Sequence, residues 1–256
     1  MARKREWFET FFAGLYKEAL AHQFSEQDSR RQARTVRRVL GLRKGARVLD
    51  IPCGMGRLAL PLARMGLEMT GADLQESYIR RARRDAKRAG ARIRYLACDM
   101  RDIEFDGEFD AVVNWFTSFG YFSDEDNLLF LKKVRRALRP GGRLLIDTMN
   151  KSRLLATWQS HSEKVIAGVH ISDDGTFDRK TGRCLSRWTL SKGAQRETRR
   201  LVIKAFDAPE MRAILRAAGF RDVRLYGMKT LHDGVPMGRL TRHSRRMLAV
   251  ATRPAR

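Results

Sequence analysis

Asp50, Gly54 and Gly56 lie within seven residues of one another, after the apolar run Val48-Leu49 and before a helical pattern that starts at Leu58 and runs to Ala63. Glycine adopts the backbone conformations of a tight turn and lets a ligand approach the main chain, while a following helix points its first amides at that turn. This makes a nucleotide-type pocket. The carboxylate decides the ligand: Asp50 at the strand end repels the pyrophosphate of a dinucleotide and suits a molecule that brings a cation. Two more acids close apolar runs. Asp73 ends Glu68-Met69-Thr70-Gly71-Ala72-Asp73, about twenty residues after the glycines, where βαβ units place a ribose-binding carboxylate. Asp99 follows Ile93-Arg94-Tyr95-Leu96-Ala97-Cys98 and precedes Met100. Taken singly, each acid equally caps a helix or solvates a turn. Their joint position at successive carboxyl ends of strands, where open α/β sheets bind ligands, points to a site.

The elements that must hold these residues follow in a regular order. A fourth strand covers Phe109 to Phe116, a helix Ser123 to Leu138, and a fifth strand Gly141 to Asp147 after the turn Arg139-Pro140-Gly141-Gly142. Strands alternating with helices predict an α/β fold: a doubly wound, mostly parallel seven-stranded sheet. Residues 46–150 form its core, residues 1–45 an N-terminal helical lid, and residues 207–256 complete the sheet with strands at Asp222 to Tyr226 and Arg246 to Thr252. Residues 151–206 lose the helical period. They read as an antiparallel β insertion over the site, with strand-like pieces Val165 to Ile171, Cys184 to Leu190 and Arg199 to Phe206 and turns at Asp173-Asp174-Gly175 and Lys180-Thr181-Gly182. The lid carries Trp7, Phe8, Phe11, Phe12, Leu15 and Tyr16 and a second helix around Ser29 to Leu40; Tyr16 is its candidate for ligand contact.

S-adenosylmethionine has an ammonium and a sulfonium and no phosphate, which matches the Asp50 pocket. The stretch Val48 to Arg57, the acids Asp73 and Asp99 and the Arg139-Pro140-Gly141-Gly142 turn together resemble class I S-adenosylmethionine-dependent methyltransferases, and of these the small bacterial type with an inserted β unit. The resemblance covers the sheet-forming part. It implies an S-adenosyl-L-methionine site lined by Tyr16, Asp50, Pro52, Cys53, Gly54, Gly56, Asp73, Leu74, Asp99, Met100, Asn114 and Trp115, with Asp50 near the methionine amine, Asp73 on the ribose hydroxyls and Asp99 on the adenine amine. The aromatics of Asn114 to Phe122 would then run under the sulfonium, a soft cation that ring faces stabilise.

The acceptor is less marked. Asn114-Trp115-Phe116-Thr117 departs from the NPPY-like run of adenine-amine enzymes, and no cysteine stands where cytosine-carbon enzymes need a nucleophile. Asp124-Glu125-Asp126-Asn127 has magnesium-ligand types, but it follows Ser123 at a helix start, where acids suit the dipole; no metal is expected. Candidate bases are His232 and Tyr121. Cys53, Cys98 and Cys184 have no paired spacing and read as reduced thiols. Lys and Arg total 52 against 29 acids, a net charge of +23, which attracts polyanions. Yet Arg80, Arg81, Arg83, Arg84, Lys87 and Arg88 share a helix with Tyr78, Ile79, Ala82 and Ala86, the pattern of a solvated face. A small-molecule acceptor is therefore expected, with RNA methylation or a non-catalytic S-adenosylmethionine-binding protein as alternatives. No apolar run approaches the ~18 residues that span a bilayer and no secretory core follows the basic start, so a cytoplasmic protein is expected.

Overall fold

The computed structural model describes residues 6–229 and 238–255. Its helices are α1 (Trp7–Phe11), α2 (Gly14–His22), α3 (Glu26–Val39), α4 (Ala59–Arg64), α5 (Glu76–Arg88), α6 (Asp124–Ala137), α7 (Lys151–Ala156) and α8 (Ala208–Ala217). The strands are β1 (Arg47–Asp50), β2 (Glu68–Asp73), β3 (Ile93–Ala97), β4 (Phe109–Asn114), β5 (Leu138–Met149), β6 (His161–Ile166), β7 (Val169–Asp178), β8 (Arg183–Lys192), β9 (Gln195–Lys204), β10 (Arg221–Met228) and β11 (Arg246–Thr252).

Seven strands form one sheet in the order β10-β11-β5-β4-β1-β2-β3, in which β11 alone runs against its neighbours. The central strands are apolar on both faces because helices cover both: Val48 and Leu49 of β1 and Ala111, Val112 and Val113 of β4 are fully buried. α5 shows why one face of a highly charged helix suffices for this. Tyr78, Ile79, Ala82 and Ala86 turn inward while Arg80, Arg83, Arg84, Lys87 and Arg88 face solvent. The chain leaves β1 toward β2 on one side and later enters β4 on the other. That switch point opens a crevice at the carboxyl ends of β1 and β4.

The remaining four strands make a second, antiparallel sheet in the order β6-β7-β8-β9. It differs from the sequence reading in two places. Val165 to Ile171 is not one strand: Ala167 and Gly168, both at positive φ, turn the chain from β6 into β7. Asp173-Asp174-Gly175 is not a turn but the middle of β7, paired with Trp188, Arg187 and Ser186 of β8. The glycine serves close approach instead, since a Cβ on Gly175 would meet Ser186 Oγ at 3.1 Å and the Trp158 ring at 3.5 Å.

Strand alternation gathers Val169 and Ile171 of β7 and Leu190 of β8 on the face that packs against Leu15 and Ala19 of α2. The expected aromatic helix is divided: α1 and α2 meet at Gly14, whose φ of 56° and approach to Glu197 exclude a side chain. Phe8 of α1 belongs to the main core, so the two helices join the sheets. α3 starts with a Ser25–Asp28 capping box and packs beside α4 in the core, with Glu26, Ser29 and Arg30 of its first turns at the crevice.

Candidate functional site

The turn after β1 is fixed by its own backbone. Gly54 and Gly56 take positive φ, 55° and 79°, and a Cβ on Gly56 would fall 2.4 Å from the Tyr95 hydroxyl oxygen. The Cys53 amide donates to Ala72 O and the Gly54 amide to Asp73 Oδ2 at 2.8 Å. Asp73 Oδ1 accepts from the Gln75 amide, also at 2.8 Å. One carboxylate thus ties the turns after β1 and β2 together. Burial pushes the Asp73 pKa up to about 6 even though these two amides pull it down.

Asp50 is in a different state. It is 1% exposed, its Oδ2 has no hydrogen-bond partner among the described residues, and it lines the crevice. Burial drives its pKa to about 8, opposed by the charge of nearby Arg57. A buried carboxyl oxygen left without a donor fits a ligand ammonium, because that cation supplies both the missing hydrogen bond and the counter-charge. Arg57 is itself held, donating to Gln32 Oε1 at 3.0 Å and Ser29 Oγ at 3.5 Å, with the Phe24 ring 4.2 Å from its guanidinium carbon. Gln32 also accepts from Trp115 Nε1 at 2.8 Å, which sets the indole at the end of β4.

The third acid is already neutralised. Asp99 caps the short turn Met100–Asp102, and Arg101 contacts both of its oxygens, at 2.7 and 3.2 Å to Oδ2 and 3.2 Å to Oδ1. Asp99 therefore offers the crevice a hydrogen-bond acceptor rather than a bare charge.

Beyond β4 the chain does something sequence reasoning did not foresee. Phe116 and Thr117 both adopt positive φ, 67° and 60°, conformations that cost roughly 1–3 kcal/mol each for residues with a Cβ. Buried groups hold them there. The Phe116 amide donates to Asp147 Oδ2 at 2.9 Å and the Thr117 amide to Asp147 O at 3.0 Å. Arg246 donates to Thr117 Oγ1 at 2.7 Å and to both Asp147 oxygens at 2.6 Å. Asp147 is fully buried on β5 and Arg246 starts β11, where it pairs with Met149, so the clamp exists only because these strands adjoin. Opposite charges at the ends of two predicted strands were the one available signal.

These elements line a cavity of about 560 Å³, within the range that holds a drug-sized ligand. Tyr16, Asp50, Pro52, Cys53, Gly54, Gly56, Asp73, Leu74, Asp99, Met100 and Trp115 all line it. Asn114 does not. It is fully buried, and its amide donates to Ile51 O at 2.8 Å, so it joins β4 to the β1 turn behind the wall. Tyr121 lines the cavity and stacks on Phe12 with ring centroids 5.9 Å apart. Burial raises its phenol above the ordinary tyrosine pKa, so the hydroxyl is protonated at neutral pH. His232 lies outside the described residues. Asp124, of the acidic run after Ser123, pairs with Arg183 and Lys204 of the second sheet.

The cavity wall also holds residues that no local motif marked. Ile171 and Trp188 reach it from the second sheet, as do Lys164, Leu201 and Ile203.

Residues 48–142 match the family model of a methyltransferase domain. A demethylmenaquinone methyltransferase of Thermus thermophilus is 31% identical over 198 residues, which cover 73% of this chain and 81% of that protein. The chain belongs to the class I S-adenosylmethionine-dependent methyltransferases. The family's cofactor, S-adenosylmethionine, carries the ammonium that Asp50 lacks a partner for. A ubiquinone biosynthesis O-methyltransferase of Roseobacter denitrificans is 38% identical over 129 residues, 50% of this chain and 49% of its own. The chain spans about half the length of the first curated relatives it matches. The methyltransferase fold itself extends further: an S-adenosylmethionine-dependent methyltransferase structure from Clostridium acetobutylicum superimposes with a TM-score of 0.73 at 14% identity, covering 95% of this chain and 98% of that one.

Proposed function

We propose that this methyltransferase transfers a methyl group from S-adenosylmethionine to a small molecule held in the cavity between the carboxyl edge of the main sheet and the four-stranded sheet. The observation that carries this reading is the unpartnered Asp50 oxygen opening on a largely apolar cavity of about 560 Å³. A polymer would need an open basic groove, whereas Arg80, Arg83, Arg84 and Arg88 of α5 lie on its solvent face. The quinone-precursor methyltransferases among its relatives support a small acceptor.

In this reading Asp50 takes the cofactor's ammonium, Asp73 its ribose hydroxyls, and Met100 and Leu74 flank the base, with Asp99 accepting from its amine. The cofactor supplies an electrophilic methyl on a sulfonium, and transfer is a direct displacement in which charge is neutralised. Alignment and a dry site then supply most of the help. Phe116 and Trp115 hold the donor side of that line, and the Asp147–Arg246 clamp keeps Phe116 and Thr117 where the methyl group must pass. α1 and α2 act as the lid, and residues 161–204 as the cover. Tyr121 orients the acceptor by donating its phenol proton. The basic charge leaves RNA as a second reading.

Calorimetric titration tests the site. Asp73→Ala is expected to weaken S-adenosylmethionine binding by about 1–3 kcal/mol, the value of hydrogen bonds to a charged group. Unchanged affinity in both Asp73→Ala and Asp50→Ala would reject the assignment.

A further inference from the structure

The fold settles most of the cavity's charges within itself. Of the cations that line it, Arg30 and Arg64 pair with Glu26, Arg81 with Asp85 and Arg246 with Asp147, while Arg57 donates to Gln32 and Ser29. Lys164 is the exception among the described residues. It has no ion pair or hydrogen bond; its ammonium rests over the Trp188 ring, 4.6 Å from the centroid. The contact is weaker than a carboxylate pair and leaves the ammonium's donors unused.

Lys164 is also placed where an acceptor would lie. It sits on β6 opposite Ile171 of β7, and the wall beside it is otherwise apolar: Ile166, Ile171, Trp188, Leu201 and Ile203. Its electrostatic neighbour is Asp173 on β7, not Asp50. Asp50 instead couples to Arg57, the cation beside the proposed ammonium site. The cavity therefore keeps one carboxyl oxygen without a donor at the cofactor end, and on β6 an exposed lysine whose ammonium makes no hydrogen bond or ion pair among the described residues.

We propose that Lys164 is the acceptor's recognition point and that the acceptor is a small, mostly apolar organic anion, its charged group on Lys164 and its body against Trp188, Ile171 and Ile203. This rests on the small-molecule reading above. It also separates two positive charges: the anion on Lys164 offsets a cation that would otherwise face the sulfonium across an apolar space.

The test uses the full chain with S-adenosylmethionine labelled on its methyl group. A low-molecular-mass cell extract, split by anion exchange into acidic and non-acidic fractions, serves as acceptor source. The wild-type protein is expected to label the acidic fraction. Lys164→Met should raise KM for that fraction at least tenfold and Lys164→Arg should restore most of it, while the affinity of all three proteins for S-adenosylhomocysteine stays within twofold. Labelling confined to the non-acidic fraction, or a KM unmoved by Lys164→Met, overturns the proposal and leaves the methyltransferase reading intact. Loss of S-adenosylhomocysteine binding in Lys164→Met also overturns it, by assigning the lysine to the cofactor. Absence of label in every small-molecule fraction, with transfer to RNA, overturns the small-molecule reading and this inference with it.

Discussion

On the proposed reading, the carboxyl edge of the main sheet and the four-stranded cover recognise ligands by different means. At the edge the backbone does the work: Gly54 and Gly56 leave room, amides meet Asp73, and a buried carboxyl is kept without a partner in Asp50. Under the cover the wall is made of side chains alone, from strands that are regular and whose outer faces meet solvent. Hydrogen bonds to main chain tolerate few substitutions, whereas an apolar wall tolerates many of similar size. One fold can therefore keep its methyl donor and change its acceptor by altering the inner faces of β6 to β9.

The largest test of this division breaks the buried pair at the carboxyl edge of the main sheet. Arg246→Met leaves the fully buried Asp147 without its counter-charge and should cost about 3–5 kcal/mol of stability in urea denaturation, typical for breaking a buried pair. Arg246→Met combined with Asp147→Asn should cost less than the single change, since no buried charge is stranded. A single change that is silent would mean that the strained Phe116-Thr117 segment is not held by the clamp.

The cofactor end can be examined by pH. The Asp50 pKa of about 8 lies far above the ~3.9 of an unfolded aspartate, so its contribution to the stability of the ligand-free protein is complete below pH ~4 and is lost as pH rises through 8. Asp50→Asn should therefore be the more stable protein at pH 8 and no more stable at pH 4. Binding shows the opposite sign. The ammonium needs the carboxylate, so between pH 6 and 7.5 the wild-type affinity should rise by up to tenfold per unit, with a proton released to buffer, while Asp50→Asn binds about 1.5–3 kcal/mol more weakly and without that slope. Calorimetry in two buffers of different ionisation enthalpy reads both.

The smallest effect is expected on the outside. Arg84→Glu with Arg88→Glu on the exposed face of α5 should change stability by no more than about 0.5 kcal/mol per site and leave turnover on a small acceptor unaltered. A salt-dependent fall in turnover would mean that this face guides a polyanionic substrate, and the cover would lose its place as the specificity region.

Local pattern made much of this protein legible. β2 and β11 fall on the residues expected, and α6 within one residue of each expected end, because an apolar run between turn signals, or an apolar stripe on a charged helix, is stable in only one way. The Asp50 to Arg57 turn was readable for the same reason: its glycines and its carboxylate act within one short segment. Reading failed where the deciding neighbour is distant in sequence. Asp173-Asp174-Gly175 has turn composition, yet pairing with β8 and the Trp158 ring make it strand. Asn114 stands beside Trp115 in sequence but behind the wall in space, because strand alternation turns its amide to Ile51. Phe116 and Thr117 carry no sign of positive φ; that conformation is imposed by Asp147, 31 residues from Phe116, and Arg246, 129 residues from Thr117. The sequence by itself determined the turn after β1, since a turn's conformation is chiefly a property of adjacent residues. Which side chains face the acceptor was decided only when two sheets and two helices closed on one cavity, because contact between remote segments depends on packing that no single segment encodes.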